Sequence, residues 1–282
     1  MILEHEIPNG SRLYFGKTAK RKRELEYKVS QILFDENFEE MVTPNFSYMQ
    51  HQSIEDGKKI ITMSDEQNNQ LSLRADSSLD VVRIITKRLG RTTSHKKWFY
   101  VQPIFTYPST ETYQIGCEWI DHDNITDVIN LSANIINKLN IKPVLQISNI
   151  NIPQLVAKEL DLDIGLFKNG EISQIFDLNI SWLSSLINVK SIDDLNAVIQ
   201  LVPSSSIKGE LEKLQTSAAR VKYSNIVIAP LYHGCMKYYN DIYYRVISDN
   251  LTLCNGGSYN SEGRNSLGFA LYTDNLLKVL ED

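Results

Sequence analysis

Cysteine and histidine side chains offer this sequence its simplest route to metal binding or nucleophilic catalysis. The three cysteines are widely separated and odd in number, and none belongs to a C-x-x-C pair. They are Cys117, Cys235 and Cys254. The five histidines show no i, i+4 spacing, which would place two ligands on one side of a helix. We therefore expect no disulfide framework, no metal centre, no metal-dependent catalysis and no cofactor.

The overall composition is that of a folded protein with a substantial core. The chain has 282 residues, 42% of them hydrophobic, and a net charge of −5 that gives no general attraction for nucleic acid. Two basic stretches, 20–23 and 87–97, fit solvated helix faces better than a nucleic-acid interface. No apolar run approaches the roughly 18 residues of a membrane span, and the first six residues lack the order of a secretory signal. We expect a cytoplasmic protein that binds no membrane.

Hydrophobic periodicity in the first half predicts the elements that position polar side chains. Apolar residues recur at helical spacing over 20–35, and 38–43 is strand-like before Pro44. A strand ends at 71–73, and Ser77 or Ser78 is expected to cap a helix that carries apolar residues up to Leu89. The segments 98–101 and 113–120 are predicted strands joined by a polar turn at 108–111.

The second half is predicted to contain a helical insertion between strands. A helix at 123–139 and a strand near 144–147 precede a mostly helical stretch at about 151–220, with expected caps at Asn151 and Ser191. Four strands and a short helix from Thr273 follow; the strands are 226–229, 242–247, 251–254 and 267–271. This order predicts an α+β fold with an antiparallel sheet, and we expect residues 1–282 to form one domain carrying the insertion.

The chain carries, in order, a helix and strand ending at Pro44, Leu-Arg-Ala-Asp at 73–76, and two strand segments at 99–105 and 114–118. Together these motifs resemble class II aminoacyl-tRNA synthetases of the histidyl branch. The helix, strand and proline ending at Pro44 resemble the first motif, which forms the dimer interface in that family. Leu-Arg-Ala-Asp at 73–76, with a following Arg83, is similar to the Leu-Arg-Pro-Glu stretch of the synthetases and closer still to the form in their regulatory paralogue. The segments 99–105 and 114–118 resemble the second motif, the latter as Gln-x-Gly-x-Glu.

Three later segments extend the resemblance across most of the chain. Tyr238-Tyr239-Asn240 looks like the histidine signature with Asp-Tyr-Tyr, Gly-Gly-Ser-Tyr at 256–259 looks like Gly-Gly-Arg-Tyr, and 267–271 resembles the strand of the third motif. The resemblance implies a class II synthetase-like antiparallel sheet flanked by helices. Ser258 and Asn260 depart from the family's arginine and aspartate, and the loop 106–112 is unlike either group.

Carried over position by position, the resemblance implies a pocket for free histidine. Its residues would be Asp76, Ser78, Gln114, Glu118, Tyr239 and Tyr259. Asp76 can pair with the α-ammonium group of an amino acid, while Glu118 and the tyrosines can hold an imidazole ring. Taken singly, Asp76 could instead be a helix cap, Glu118 a solvated strand residue, and the tyrosines core aromatics.

The positions at which the synthetases carry adenylation arginines hold other residues here. Thr106 stands directly after Phe105, Gly234 precedes the tyrosine pair, and the third position falls near Asn275. Guanidinium groups stabilise the charge that develops on the α-phosphate. Three lost contacts of ~1.5 to 3 kcal/mol each would reduce the rate of adenylation by about four to six powers of ten.

The resemblance thus implies a non-catalytic regulatory subunit of ATP phosphoribosyltransferase, which acts in the first step of histidine biosynthesis. Its expected partner is the short-form catalytic subunit, activated and feedback-regulated through histidine as an allosteric ligand. The resemblance also implies a homodimer through the first-motif helix and strand, within a hetero-octamer, and no anticodon-binding domain and no tRNA.

Two other interpretations stay open at the level of sequence. One is a trimmed class II ligase that activates an amino acid with ATP and passes it to an acceptor other than tRNA. The other is a dimeric scaffold whose pocket is empty.

Overall fold

The computed structural model of the protein describes residues 6–48, 59–233 and 239–281, and these form two compact units. The first unit comprises Met1–Ile120 and Ala270–Asp282, and the second comprises Asp121–Phe269.

Three residues named in the sequence analysis lie outside the described residues: Gly234, Cys235 and Tyr238. Gly234 is one of the positions expected to have lost an arginine. Within the described residues, no helix is long and apolar enough to cross a membrane, and no group of three or more metal-ligating side chains occurs.

The first unit begins with the predicted long helix. Helix α1 spans Gly16–Asp35 and buries an apolar stripe that includes Leu25, Val29 and Leu33. Strand β1 is only Glu39–Glu40 and pairs in parallel with Trp98 and Phe99, so most of the predicted strand at 38–43 is irregular. Strand β4, Gln70–Leu73, confirms the predicted strand at 71–73 and forms a small antiparallel sheet of order β2-β4-β3. Its other two strands, β2 at Phe46–Tyr48 and β3 at Thr62–Ser64, were not predicted.

The two segments that resemble the second motif, 99–105 and 114–118, lie in the predicted hairpin of the first unit. Strands β5, Lys97–Thr106, and β6, Thr110–Ile120, pair antiparallel over their whole length. Helix α2, Ser78–Ile84, continues into a π-helical turn at Ile85–Leu89, and the last helix, α10, spans Thr273–Glu281 and packs on α1 and β6. The prediction that Ser77 or Ser78 caps α2 is wrong. The cap is Asp76, whose Oδ1 accepts from Leu79 N at 2.9 Å.

The second unit contains a sheet in the order β11-β10-β9-β7-β8. Its strands are β7 Val144–Asn149, β8 Ile226–Ile228, β9 Tyr239–Ser248, β10 Leu251–Ser261 and β11 Arg264–Tyr272, the last of which ends in the first unit. All these strands were predicted, but β9 and β10 are longer: β9 begins at Tyr239 of the first histidine-signature segment, and β10 includes the second, 256–259. β7 and β8 run parallel, so the sheet is mixed rather than purely antiparallel.

Helices make up the rest of the second unit. Helix α3, Ile125–Lys138, is capped by Asn124, packs against β10, and matches the predicted helix. The predicted helical stretch contains α4 Asn151–Glu159, α5 Gly165–Lys168, α6 Ile172–Asp177, α7 Ser181–Ile187, α8 Ile192–Ile199 and α9 Ser205–Ala218. Ser191 forms the expected cap as a full capping box with Asp194. The expected cap at Asn151 is wrong, because Asn149 Oδ1 accepts from Asn151 N at 3.0 Å.

Candidate ligand-binding site

The Gln-x-Gly-x-Glu segment of β6 is shaped around a tyrosine that the sequence analysis did not single out. Gly116 lies opposite Tyr100 of β5, and a Cβ on Gly116 would sit 2.0 Å from Tyr100 Cζ. Only glycine leaves room for the ring at this position. The sequence signal for Tyr100 was therefore the glycine in the middle of a strand, opposite an aromatic residue.

Tyr100 brings three of the predicted site residues of the first unit together. Its hydroxyl is 3.3 Å from Ser78 Oγ. The pKa of Tyr100 is raised well above its usual value, first by complete burial and then by the negative charges of Glu118 and Asp76. The phenol is therefore protonated at neutral pH, beside two carboxylates.

Glu118 and Gln114 share one side of β6 with Gly116, because alternate residues of a strand face the same way. Glu118 has 0% of its surface exposed, so it is not the solvated strand residue of the alternative interpretation. Gln114 is also buried. A buried carboxylate at this position suits a ligand that carries N–H groups or positive charge.

Asp76 combines a structural contact with its position in this cluster. Capping α2 occupies Oδ1 of its carboxylate, so the helix-cap interpretation of Asp76 is correct. That contact does not remove Asp76 from the cluster, since its charge still acts on Tyr100. A carboxylate has two oxygens, and capping uses one of them.

In the second unit, Tyr239 and Tyr259 lie opposite each other on β9 and β10. Their ring centroids are 6.3 Å apart and the rings are nearly perpendicular, a favourable edge-on arrangement. Tyr243 continues this cluster 5.2 Å from Tyr239, and Tyr232 stacks on Tyr243 at 5.9 Å. A Cβ on Gly257 would lie 2.8 Å from Tyr239 Cδ1, so this glycine also makes room for a ring.

Two arginines of the first unit, Arg74 and Arg83, are engaged by other groups of that unit. Arg74, only 1% exposed, donates from all three guanidinium nitrogens to neutral oxygens of Thr43, Pro44, Asn45 and Pro103, at 2.7 to 3.1 Å. Arg83 Nη2 donates to Asp80 Oδ1 at 2.8 Å.

The positions expected to hold adenylation arginines lie at two element boundaries of this unit. Thr106 is the last residue of β5, and Asn275 lies in the first turn of α10. A cation lies beside neighbouring Asp274, where Arg12 Nε is 3.5 Å from Asp274 Oδ2. Burial raises the pKa of Asp274, and Arg12 opposes this rise; Tyr14 also donates to the carboxylate.

Comparison with known proteins identifies the family. The histidyl-tRNA synthetase family profile matches residues 14–276. The ATP phosphoribosyltransferase regulatory subunit of Wolinella succinogenes is 44% identical over 99% of this chain and 97% of its own, and that of Helicobacter hepaticus is 39% identical over 99% of both chains. The chain belongs to the ATP phosphoribosyltransferase regulatory subunit family.

A solved relative in this family supports the fold. The structure of an ATP phosphoribosyltransferase regulatory subunit/histidyl-tRNA synthetase from Bacillus halodurans superposes with a TM-score of 0.85, covering 100% of this chain and 84% of its own at 17% identity. The predicted class II synthetase-like α+β fold, with a sheet flanked by helices, is thus confirmed for this member of the regulatory subunit family. The resemblance that the motifs predicted is confirmed as well.

Proposed function

We propose that this chain is a non-catalytic, cytoplasmic subunit of ATP phosphoribosyltransferase that binds histidine and regulates a short-form catalytic subunit. The histidine ligands in this proposal are Asp76, Ser78, Gln114 and Glu118 of the first unit and Tyr239 and Tyr259 of the second. The names of its relatives in Wolinella and Helicobacter support the regulatory role.

The observation that carries the proposal is the buried carboxylate of Glu118 next to the protonated hydroxyl of Tyr100. An amino acid with a basic side chain supplies the positive charge and N–H donors that such a site needs. In our proposal Asp76 attracts the α-ammonium group, and Glu118 accepts from the imidazole. Ser78 and Gln114 supply further hydrogen bonds, and the tyrosine rings contact the imidazole edge.

The existing contacts of three arginines argue against adenylation as the function. Arg74 and Arg83 already donate to protein oxygens, and Arg12 lies beside Asp274. Releasing any of them to a phosphate would leave buried or half-buried acceptors without a donor, at a cost of ~1 to 3 kcal/mol for each acceptor. We propose that Thr106, Gly234 and Asn275 stand where synthetases carry arginines and that no step of amino-acid activation occurs.

We further propose a homodimer through α1 and β1 within a hetero-octamer. Tyr27 and Phe34 are 68% and 44% exposed and stand at i and i+7, on one side of α1. Val42, just after β1, is also largely exposed. Large exposed apolar groups of this kind are typical of an interface between copies. We expect Tyr27→Glu to dissociate the dimer in analytical ultracentrifugation, whereas Leu201→Glu, a similarly exposed position of the second unit, leaves it intact.

The test of the function combines three measurements on the full-length protein. We expect L-histidine to bind in calorimetry, ATP and histidine to give no pyrophosphate exchange, and the short-form catalytic subunit to co-elute and gain activity. Histidine is then expected to inhibit that complex, since a ligand shifts an equilibrium only when it favours one of the two states.

Each alternative interpretation has its own outcome. Pyrophosphate exchange at rates typical of synthetases would identify a ligase and refute the regulatory proposal. A complex that forms but responds identically to histidine in the wild type and in Glu118→Gln would identify a scaffold with an unused pocket.

A further inference from the structure

A cavity of about 400 Å³ lies within the second unit, apart from all six residues proposed to bind histidine. Its walls come from α5, α6 and α7 on one side and from β8 and the residues after it on the other. Most of the lining is apolar, and includes Phe167, Ile172, Leu186, Val189, Ile228 and Leu231. A space of this size and character suits a small ligand with an apolar body.

One wall of the cavity is polar and is organised by an arginine. Arg245 Nη2 donates to Gln146 Oε1 at 3.0 Å, and the guanidinium lies 4.0 Å from the centroid of the Tyr232 ring. Both Gln146 and Tyr232 line the cavity. Since the amide oxygen of Gln146 faces Arg245, the amide N–H₂ group is the end that Gln146 can offer to a ligand.

The residues that line the cavity include a cation, Lys168, but no carboxylate. Glu171, which accepts from the lining residue Asn169, lies two residues from it in the chain. Within the described part of the chain, Arg245 contacts no carboxylate, and its Nε is buried without a hydrogen-bond partner. A guanidinium stacked on an aromatic ring and lacking a counter-charge favours an incoming anion.

We propose that this cavity is a second ligand site, which binds a small carboxylic acid with an apolar or aromatic body. The carboxylate accepts from the Gln146 amide and is attracted by Arg245 and Lys168, while the body lies on the wall formed by Phe167, Leu186 and Leu231. This site differs in charge from the histidine site, which is built on carboxylates.

The experiment uses phenylacetate as the probe and phenylacetamide, its uncharged isostere, as the matched control ligand. Binding to the full-length protein is followed by ligand-observed NMR and calorimetry. We expect phenylacetate to bind about tenfold more tightly than phenylacetamide, since a hydrogen bond to a charged group is worth roughly one power of ten. Arg245→Gln should reduce this difference.

Two tryptophan substitutions on α6 place the probe. Ile172 lies at the rim of the cavity, so Ile172→Trp should fill it and abolish phenylacetate binding. Phe176→Trp, on the same helix and similarly exposed but outside the lining, should leave binding unchanged. Circular dichroism and thermal unfolding check that both variants fold.

Four results would overturn the proposal: no phenylacetate binding to the wild type at millimolar concentration, equal affinity for phenylacetamide, equal loss in both tryptophan variants, or displacement of phenylacetate by equimolar L-histidine. The last result would place the probe in the histidine site. Failure of the regulatory function alone, with phenylacetate binding intact, leaves this second site standing, so the two proposals fail separately.

Discussion

Each compact unit builds a polar cluster around a buried or half-buried tyrosine, but the charge beside the ring has opposite sign in the two. In the first unit, Tyr100 lies beside the carboxylates of Asp76 and Glu118. In the second, Tyr232 lies beneath the Arg245 guanidinium, and no acidic residue lines the adjacent cavity. The fold alone therefore does not decide what each unit binds, because the charge next to the ring selects the ligand.

The largest expected effect is on the free energy of unfolding, and it differs between Arg74 of the first unit and Arg245 of the second. Arg74→Gln should lower the free energy of unfolding by about 3 kcal/mol or more, because several buried oxygens that accept from its guanidinium lose their donor. Arg245→Gln removes one hydrogen bond and a ring contact, so its cost should be about 1 kcal/mol. Urea unfolding measures both. Equal costs would mean that Arg245 is as much a structural residue as Arg74.

Gly116→Ala comes next and tests the packing at Tyr100. The new Cβ would overlap a fully buried ring, and we expect a loss of about 2 kcal/mol of stability together with weaker histidine binding. Gly209→Ala is the control, since nothing lies within 4 Å of its Cβ position on α9 and alanine should stabilise that helix by up to ~1 kcal/mol. Unchanged stability and binding in Gly116→Ala would show that Tyr100 can move aside.

Glu118→Gln tests the charge of the first cluster while keeping its shape. We expect histidine affinity to fall by about tenfold or more, because the imidazole N–H would then donate to a neutral amide oxygen instead of a buried carboxylate. Tyr259→Phe, which removes one hydroxyl from the second unit, should cost less than tenfold. Calorimetry at pH 7.5 measures both affinities. A larger loss in Tyr259→Phe would place the main recognition of histidine on the tyrosines.

The sequence predicted residues of the first cluster but not their internal contacts, and it did not indicate the second cluster. Asp76 and Glu118 were named because short motifs occur in the right order. Tyr100 was missed because an aromatic residue in a predicted strand is the ordinary content of a core. Only the pairing of β5 with β6 places it against Gly116, and that register depends on the folded hairpin.

Long-range charge pairs were also beyond prediction. Arg12 and Asp274 meet from opposite ends of the chain, so their ion pair has no local sequence signal. Local signals did better: Ser191 with Asp194 reads directly as a capping box, whereas Asn149 and Asn151 are both suitable caps and the sequence does not choose between them. Three-residue strands such as β2 and β3 are too short for periodicity to detect.

The smallest expected effect concerns the proton on Tyr100. Because burial raises the pKa of Tyr100, the unfolded chain loses this proton near pH 10 while the folded protein keeps it. Stability contributed by the protonated phenol is therefore complete below pH 10 and is lost as pH rises toward the folded-state pKa. The free energy of unfolding, measured in urea between pH 9 and 11, should fall with pH in the wild type. In Tyr100→Phe it should fall by up to ~1.4 kcal/mol less per pH unit. Parallel curves would mean that the phenol ionises in the folded protein as freely as in solvent, so that neither burial nor the charges of Glu118 and Asp76 raise its pKa.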